Sequence, residues 1–216
     1  MTTSPFKKDR KEVCLLAIAI ILLIWSSINA KDYLAWIMLT IPSLIYIVVL
    51  TATYNKFKFT YLSYALVFIH IIILLVGAKY TYTTNPLFEY LKEALNLSRN
   101  HYDRLGHVAQ GFIPAIITRE FLLRKGYFKK SKFFYVTVFA FVLAISASWE
   151  LLEFFAIIVS KKPARYVLSF QGDILDTQKD MLLAFIGAAC SLLFLGKAHD
   201  RRIKEISDTE AKNSKH

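Results

Sequence analysis

The chain has 216 residues, of which 56% are hydrophobic, with 17 Phe, 12 Tyr and a formal charge of +11. A soluble domain is only about 45–50% apolar, and here the apolar residues come as long runs rather than as stripes, which points to lipid as the solvent. The Lys and Arg residues fall between those runs and make no continuous basic face, which excludes nucleic acid as the partner the charge would otherwise suggest. The two cysteines, Cys14 and Cys190, lie in separate apolar runs, so neither a disulfide framework nor a cysteine metal site is indicated.

A bilayer core needs about 20 helical residues to cross, and six segments are predicted to do so. The first, Val13 to Ala30, follows the basic run Lys7 to Lys11. That start also suits a signal peptide with Ala30 as a cleavage residue, but the apolar stretch exceeds the roughly 7–15 residues of such a region, so retention is expected. Next come Leu34 to Thr53 and Tyr61 to Ala78, the latter with His70 mid-span, where a hydrogen bond inside the bundle is the expected role. The long connection from Lys79 to Arg104 contains Asn85-Pro86, a cap followed by a first-turn proline, then Leu87, Phe88, Leu91 and Leu95 at helical spacing. It predicts a short amphipathic helix near 86–97, either in the outer interface or packed on the bundle. The fourth span is Leu105 to Leu123, with Pro114 releasing the Gln110 carbonyl, and the fifth is Phe133 to Val159. The apolar run Met181 to Leu195 covers only about 22 Å at 1.5 Å per residue, so the sixth helix must begin near Asp173. The tail after Ile203, rich in Ser, Asp, Glu and Lys, is expected to be solvated and poorly ordered, and His199 and Asp200 to be surface or helix-end residues.

The fold class is therefore all-α, a polytopic bundle of six transmembrane helices. Residues 1–12 form a cytoplasmic N-terminus, 13–196 a single transmembrane domain and 197–216 a cytoplasmic tail. With the N-terminus inside, 17 of the 27 Lys and Arg lie on inner segments and 9 on outer ones, which is the bias that short cytoplasmic loops carry. Both termini are expected inside.

Ionisable groups in membrane helices are costly and mark function. Here they gather at one level. The fourth helix enters from outside with Asp103, His107 and Gln110, the fifth leaves with Glu150 and Glu153, and the sixth enters with Asp173, Asp176 and Asp180. Spacings of three, four and seven put each set on one helix face. First-turn acids gain only about 0.3–1 kcal/mol from the helix dipole, too little to offset several unpaired buried carboxylates, so protons, cations or a metal are required. One reading is a divalent metal held by His107, Asp103, Glu150, Glu153, Asp173, Asp176 and Asp180, oxygen and imidazole donors from facing helices. The other is ion pairing with Arg104, Lys161, Lys162, Arg165 and Lys179 at a wet interface. The same cations beside Tyr166 either balance charge or bind the phosphate of a lipid.

The motifs Tyr102-Asp103-Arg104-Leu105-Gly106-His107, Gln110-Gly111-Phe112, Arg119-Glu120, Glu150-Leu151-Leu152-Glu153-Phe154, Gln171-Gly172-Asp173-Ile174-Leu175-Asp176-Thr177-Gln178-Lys179-Asp180-Met181 and His199-Asp200-Arg201 follow one another in the second half of the chain. In this order they resemble the YjdF family of bacterial inner-membrane proteins, and more distantly the VanZ-like membrane proteins, which also place Asp and His at the start of one helix and acids on later ones. The resemblance implies a bacterial inner-membrane location and a multi-pass fold, and no reaction.

On these grounds a metal-dependent enzyme acting on a lipid-linked or phosphate-bearing substrate at the outer leaflet is the first functional expectation. His107, Glu150 and Glu153 would be catalytic, one glutamate as base, and Arg104, Gln110, Lys161, Lys162, Arg165 and Gln171 would bind substrate. A cation- or proton-coupled transporter using Pro114 as a helix break, and a non-catalytic envelope factor, are the alternatives.

Overall fold

The computed structural model describes residues 9–160 and 173–213, and among them every regular element is a helix. Contacts divide the chain into two compact units, Met1–Thr81 and Tyr82–His216. In the first unit lie α1 (Arg10–Ser27), α2 (Tyr33–Thr53) and α3 (Tyr61–Tyr80); in the second lie α4 (Pro86–Ala94), α5 (Tyr102–Arg124), α6 (Lys132–Ser160) and α7 (Asp176–Asn213).

Caps set most of these boundaries. Asp32 accepts the backbone N–H groups of Leu34 and Ala35 at the start of α2, Thr60 accepts that of Ser63 in α3, and Asn85 accepts that of Phe88 in α4; each satisfies first-turn donors that have no partner within the helix. Asn96, with φ of 52°, closes α4 at Ala94, short of the expected residue 97. Gly126, with φ of 72°, turns the chain out of α5, and the Gly126 and Tyr127 N–H groups return to the carbonyls of Leu123 and Leu122.

In the first unit α3 packs against both α1 and α2. His70 is buried 3.2 Å from the Tyr46 hydroxyl, and Lys58, in the link before α3, is bound to Asp9 at 2.5 Å and Glu12 at 3.2 Å. Burial would lower the Lys58 pKa, but its bonds to Asp9, Tyr54 and Glu12 outweigh that and raise it.

The second unit is built on the pairing of α5 with α7, and α6 packs on both. Small residues permit a close approach: a Cβ on Gly111 would run into the Ala184 carbonyl, and one on Gly187 into the Val108 carbonyl, as in small-residue contacts between membrane helices. Below that crossing Ala115, Leu122, Phe134, Val138, Val142, Ala184 and Ala188 form the apolar core. The short α4 turns Phe88 onto the Tyr102 ring and leaves Leu87 and Tyr90 exposed.

Four helices are long and apolar enough to cross a bilayer: Tyr33–Thr53, Tyr61–Tyr80, Lys132–Val159 and Asp176–Ala211. Six were expected. The other two differ for separate reasons: α1 carries Arg10, Lys11 and Glu12 in its first turn, whereas α5 directs its polar side chains into the bundle, with 13 of its 23 residues buried. The tail also departs from expectation. Helix α7 continues to Asn213, ten residues past Ile203, because Glu210 is tied to Arg124 at 2.6 Å and Arg202 to Glu205 at 3.0 Å.

Candidate metal centre

Helices α5 and α7 run in the same direction, since Asp103 lies beside Asp180 near one end and Glu120 beside His199 near the other. Asp103 occupies the first turn of α5 with His107 one turn on, so both side chains project from one face. Asp180 stands one turn into α7, and Glu150 comes from α6.

These four meet at a point. His107 Nε2 lies 3.4 Å from Asp103 Oδ1, 3.8 Å from Glu150 Oε1 and 3.8 Å from Asp180 Oδ2. One donor atom each from Asp103, His107 and Asp180 falls within 4.8 Å of the other two. Donors about 2.0–2.2 Å from a metal stand roughly 3–3.5 Å apart, so this set needs only a small contraction. Asp103 Oδ1, His107 Nε2, Glu150 Oε1 and Asp180 Oδ1 are all buried without a hydrogen-bond partner. Such groups ordinarily cost about 1–3 kcal/mol each, more when charged. Four in one place would be completed by protons or by a bound cation.

The imidazole is oriented from behind. His107 Nδ1 is 3.1 Å from Gln110 Oε1, and the amide oxygen can only accept, so Nδ1 carries the proton and Nε2 is the atom aimed at the acids. Gln110, expected to contact substrate, instead orients His107.

Charge leads to the same conclusion. Among the described residues Asp103, Asp176, Asp180 and Glu150 are all buried, and the buried cation beside them is Arg99, whose guanidinium reaches Asp176 at 2.6 Å and Asp103 Oδ2 at 3.4 Å. The excess is three negative charges, or two if the imidazole is doubly protonated. Protons or a divalent cation would close that gap, and an imidazole with carboxylates is a donor set that zinc, manganese or iron accepts.

The remaining expected residues are placed elsewhere. Glu153 accepts a 2.7 Å bond from the Trp149 indole, Asp176 is held by Arg99, and Asp173 binds Lys179 at 2.5 Å with Arg104 3.9 Å away. Ion pairs lie at the rim of the cluster and partnerless donors at its centre. Lys161, Lys162, Arg165 and Gln171 lie outside the described residues. Arg99 was missed as a site residue because it lies in the loop before α5, three residues ahead of Tyr102, where helical spacing carries no signal.

A second polar cluster occupies the far end of α5 and α7, about 26–29 Å away along the helices at 1.5 Å per residue. His199 is fully buried, which corrects its assignment to the surface. Its Nδ1 faces Arg119 at 3.1 Å, and because arginine only donates, Nε2 carries the proton and bonds Glu120 at 3.0 Å. Arg119 also binds Asp200, which Lys130 meets from the link before α6, and Arg124 joins Glu120 at 2.9 Å to Glu210.

Residues 12–201 match the family described as predicted membrane protein DUF2238. The chain belongs to that family. It is 41% identical over 184 residues to the inner membrane protein YjdF of Escherichia coli strain K12, a match covering 85% of this chain and 88% of that one. Neither match is to a VanZ-like protein, and no solved structure matches. With its apolar helices, the chain is a multi-pass membrane protein like its inner-membrane relative.

Proposed function

We propose that this chain is a metal-dependent enzyme of the bacterial cytoplasmic membrane, with six spans and both termini inside, that hydrolyses a phosphate-bearing lipid at the outer leaflet. Helices α1 and α5, at 18 and 23 residues, are about 27 and 35 Å long, enough for the two further crossings. The Lys and Arg bias then places the Asp103 end outside, with the exposed Leu87 and Tyr90 of α4 in the headgroup layer.

The gathering of four buried residues that each carry a partnerless polar atom, with oxygens of Asp103, Glu150 and Asp180 at 3.4, 3.8 and 3.8 Å from His107 Nε2, carries the reading. Asp103, His107, Asp180 and Glu150 would hold a divalent ion, which would supply Lewis-acid polarisation of a phosphoryl oxygen. Glu153, steadied by Trp149, takes a proton from the attacking water. The water oxygen bonds to phosphorus as the bond from phosphorus to the leaving alcohol breaks, and the departing oxygen takes a proton from solvent. A transporter would need a polar route between the two clusters, and the Gly111–Ala184 and Gly187–Val108 contacts leave no room for one along the α5–α7 seam.

Elemental analysis of the purified protein tests this directly. About one equivalent of a divalent metal is expected in wild type and a large loss in His107→Ala and Asp180→Asn, with folding checked by size exclusion and circular dichroism. Glu153→Gln should retain the metal while phosphate release from a lipid phosphate monoester drops by about 100-fold or more. Equal metal in wild type, His107→Ala and Asp180→Asn, or none in wild type purified without chelator, would remove the reading.

A further inference from the structure

Beside the acid cluster, three cations surround one carboxylate oxygen. Asp173 Oδ2 lies 2.5 Å from Lys179 Nζ, 3.7 Å from Arg99 Nη1 and 3.9 Å from Arg104 Nη2. Its other oxygen accepts the Leu175 N–H at 3.1 Å. A single carboxylate is a poor match for that set: two of the three cations stand beyond hydrogen-bond length, and the Nε of Arg99, a buried side chain, has no partner. A phosphate monoester carries about −1.5 to −2 and three acceptor oxygens, and paired N–H groups of arginine match its geometry. Access from water exists, since Lys179, Arg104 and Asp173 retain 45%, 34% and 20% of their side-chain exposure.

We propose that Arg99, Arg104 and Lys179 form a phosphate-binding subsite at the mouth of the acid cluster, and that Asp173 fills it from within the chain until a phosphate-bearing ligand displaces it. Arg99 joins the two halves, with one face of its guanidinium on Asp176 and Asp103 and the other toward Asp173. Displacing Asp173 sets the phosphate beside the acids that would hold the metal. The subsite deepens the enzymatic reading by naming the group bound, but its cations stand whether or not a metal is present.

Titration calorimetry of the full chain in detergent with inorganic phosphate tests the subsite, and phosphatidylcholine nanodiscs with or without phosphatidate test the lipid source by the shift in thermal unfolding. Asp173→Asn, which removes the competing charge and keeps the side-chain size, should bind phosphate or respond to phosphatidate about tenfold more tightly. The double variant Arg104→Ala/Lys179→Ala should lose at least that much. A gain with free phosphate identifies a soluble ligand, and a gain with phosphatidate alone identifies a lipid; both support the subsite. Unchanged affinity for both probes in Asp173→Asn, or undiminished binding in the double variant, overturns it. Metal content measured on the same samples separates the two ideas: phosphate binding that responds to Asp173 in protein that carries no metal when purified without chelator keeps the subsite and removes the metal centre.

Discussion

The two ends of the α5–α7 pair are both rich in charge, yet they are built differently. At the Glu120–His199 end, Arg119, Arg124 and Lys130 meet Glu120, Asp200 and Glu210, three charges of each sign, and the imidazole is bonded through both nitrogens. At the Asp103–Asp180 end, among the described residues, four buried acids share one buried arginine, and four donor atoms have no partner. A balanced, nearly saturated network, with Arg119 Nε its unpartnered atom, is how a protein closes a helix pair. An unbalanced, unsaturated one persists because something else completes it.

The largest effect should come from breaking the balanced end. Glu120→Leu leaves Arg124 and His199 facing a buried methyl group, and removing one partner of a buried ionic network costs about 3–5 kcal/mol. Thermal unfolding in detergent should show that loss while the metal content of the surviving folded protein stays at the wild-type level. Loss of metal without loss of stability would reverse the roles assigned to the two ends.

Next is the seam between them. In Gly111→Ala the added carbon overlaps the Ala184 backbone, which cannot rotate away as a side chain would. Overpacking of this kind costs about 1–3 kcal/mol. Because α5 and α7 carry both clusters, stability and metal affinity should fall together. A variant that lost only one of them would show that the two ends are not held by one crossing.

How much of this comparison was legible beforehand follows from what sequence periodicity encodes. The helices and their approximate limits were readable because lipid demands long apolar runs, and the acids on α5, α6 and α7 were readable as single faces because spacing along one helix fixes them. Which acids share a centre depends on how faces on different helices turn toward one another, and no local spacing records that: Asp173, three before Asp176, looks outward to Lys179, while Asp180, four after it, looks inward to His107. Arg99 was passed over as one more loop cation. His199 was misplaced because a histidine after the last apolar run looks like surface until Glu120 and Arg119, eighty residues earlier, are set beside it.

The unbalanced end should respond to substitution with the opposite sign. With chelator present, Asp180→Asn removes one of the uncompensated charges and should raise stability by about 0.5–2 kcal/mol, the common yield when a strained functional site is relaxed. Added divalent metal should then raise the unfolding temperature of wild type, by the free energy of binding the native state, and leave the variant unmoved. A destabilised Asp180→Asn in chelator would mean that this aspartate is structural, as Glu120 is.

The smallest expected effect lies at the rim and concerns pH. The hydrogen bond from Lys179, with the Leu175 N–H and the nearby Arg99, holds the half-buried Asp173 carboxyl below its ordinary pKa of 3.8. A depressed carboxyl contributes stability that is fully present above the unfolded value and disappears as pH falls through the folded one. Wild type and Asp173→Asn should therefore differ slightly in unfolding temperature at neutral pH and converge on acidification to below the usual carboxylate range. High salt should shrink the neutral-pH difference as well, because exposed pairs are screened, whereas the Glu120 and Asp180 effects, being buried, should persist. A salt-insensitive Asp173 difference would place that side chain in the buried cluster and would end the distinction between a paired rim and an unpaired centre.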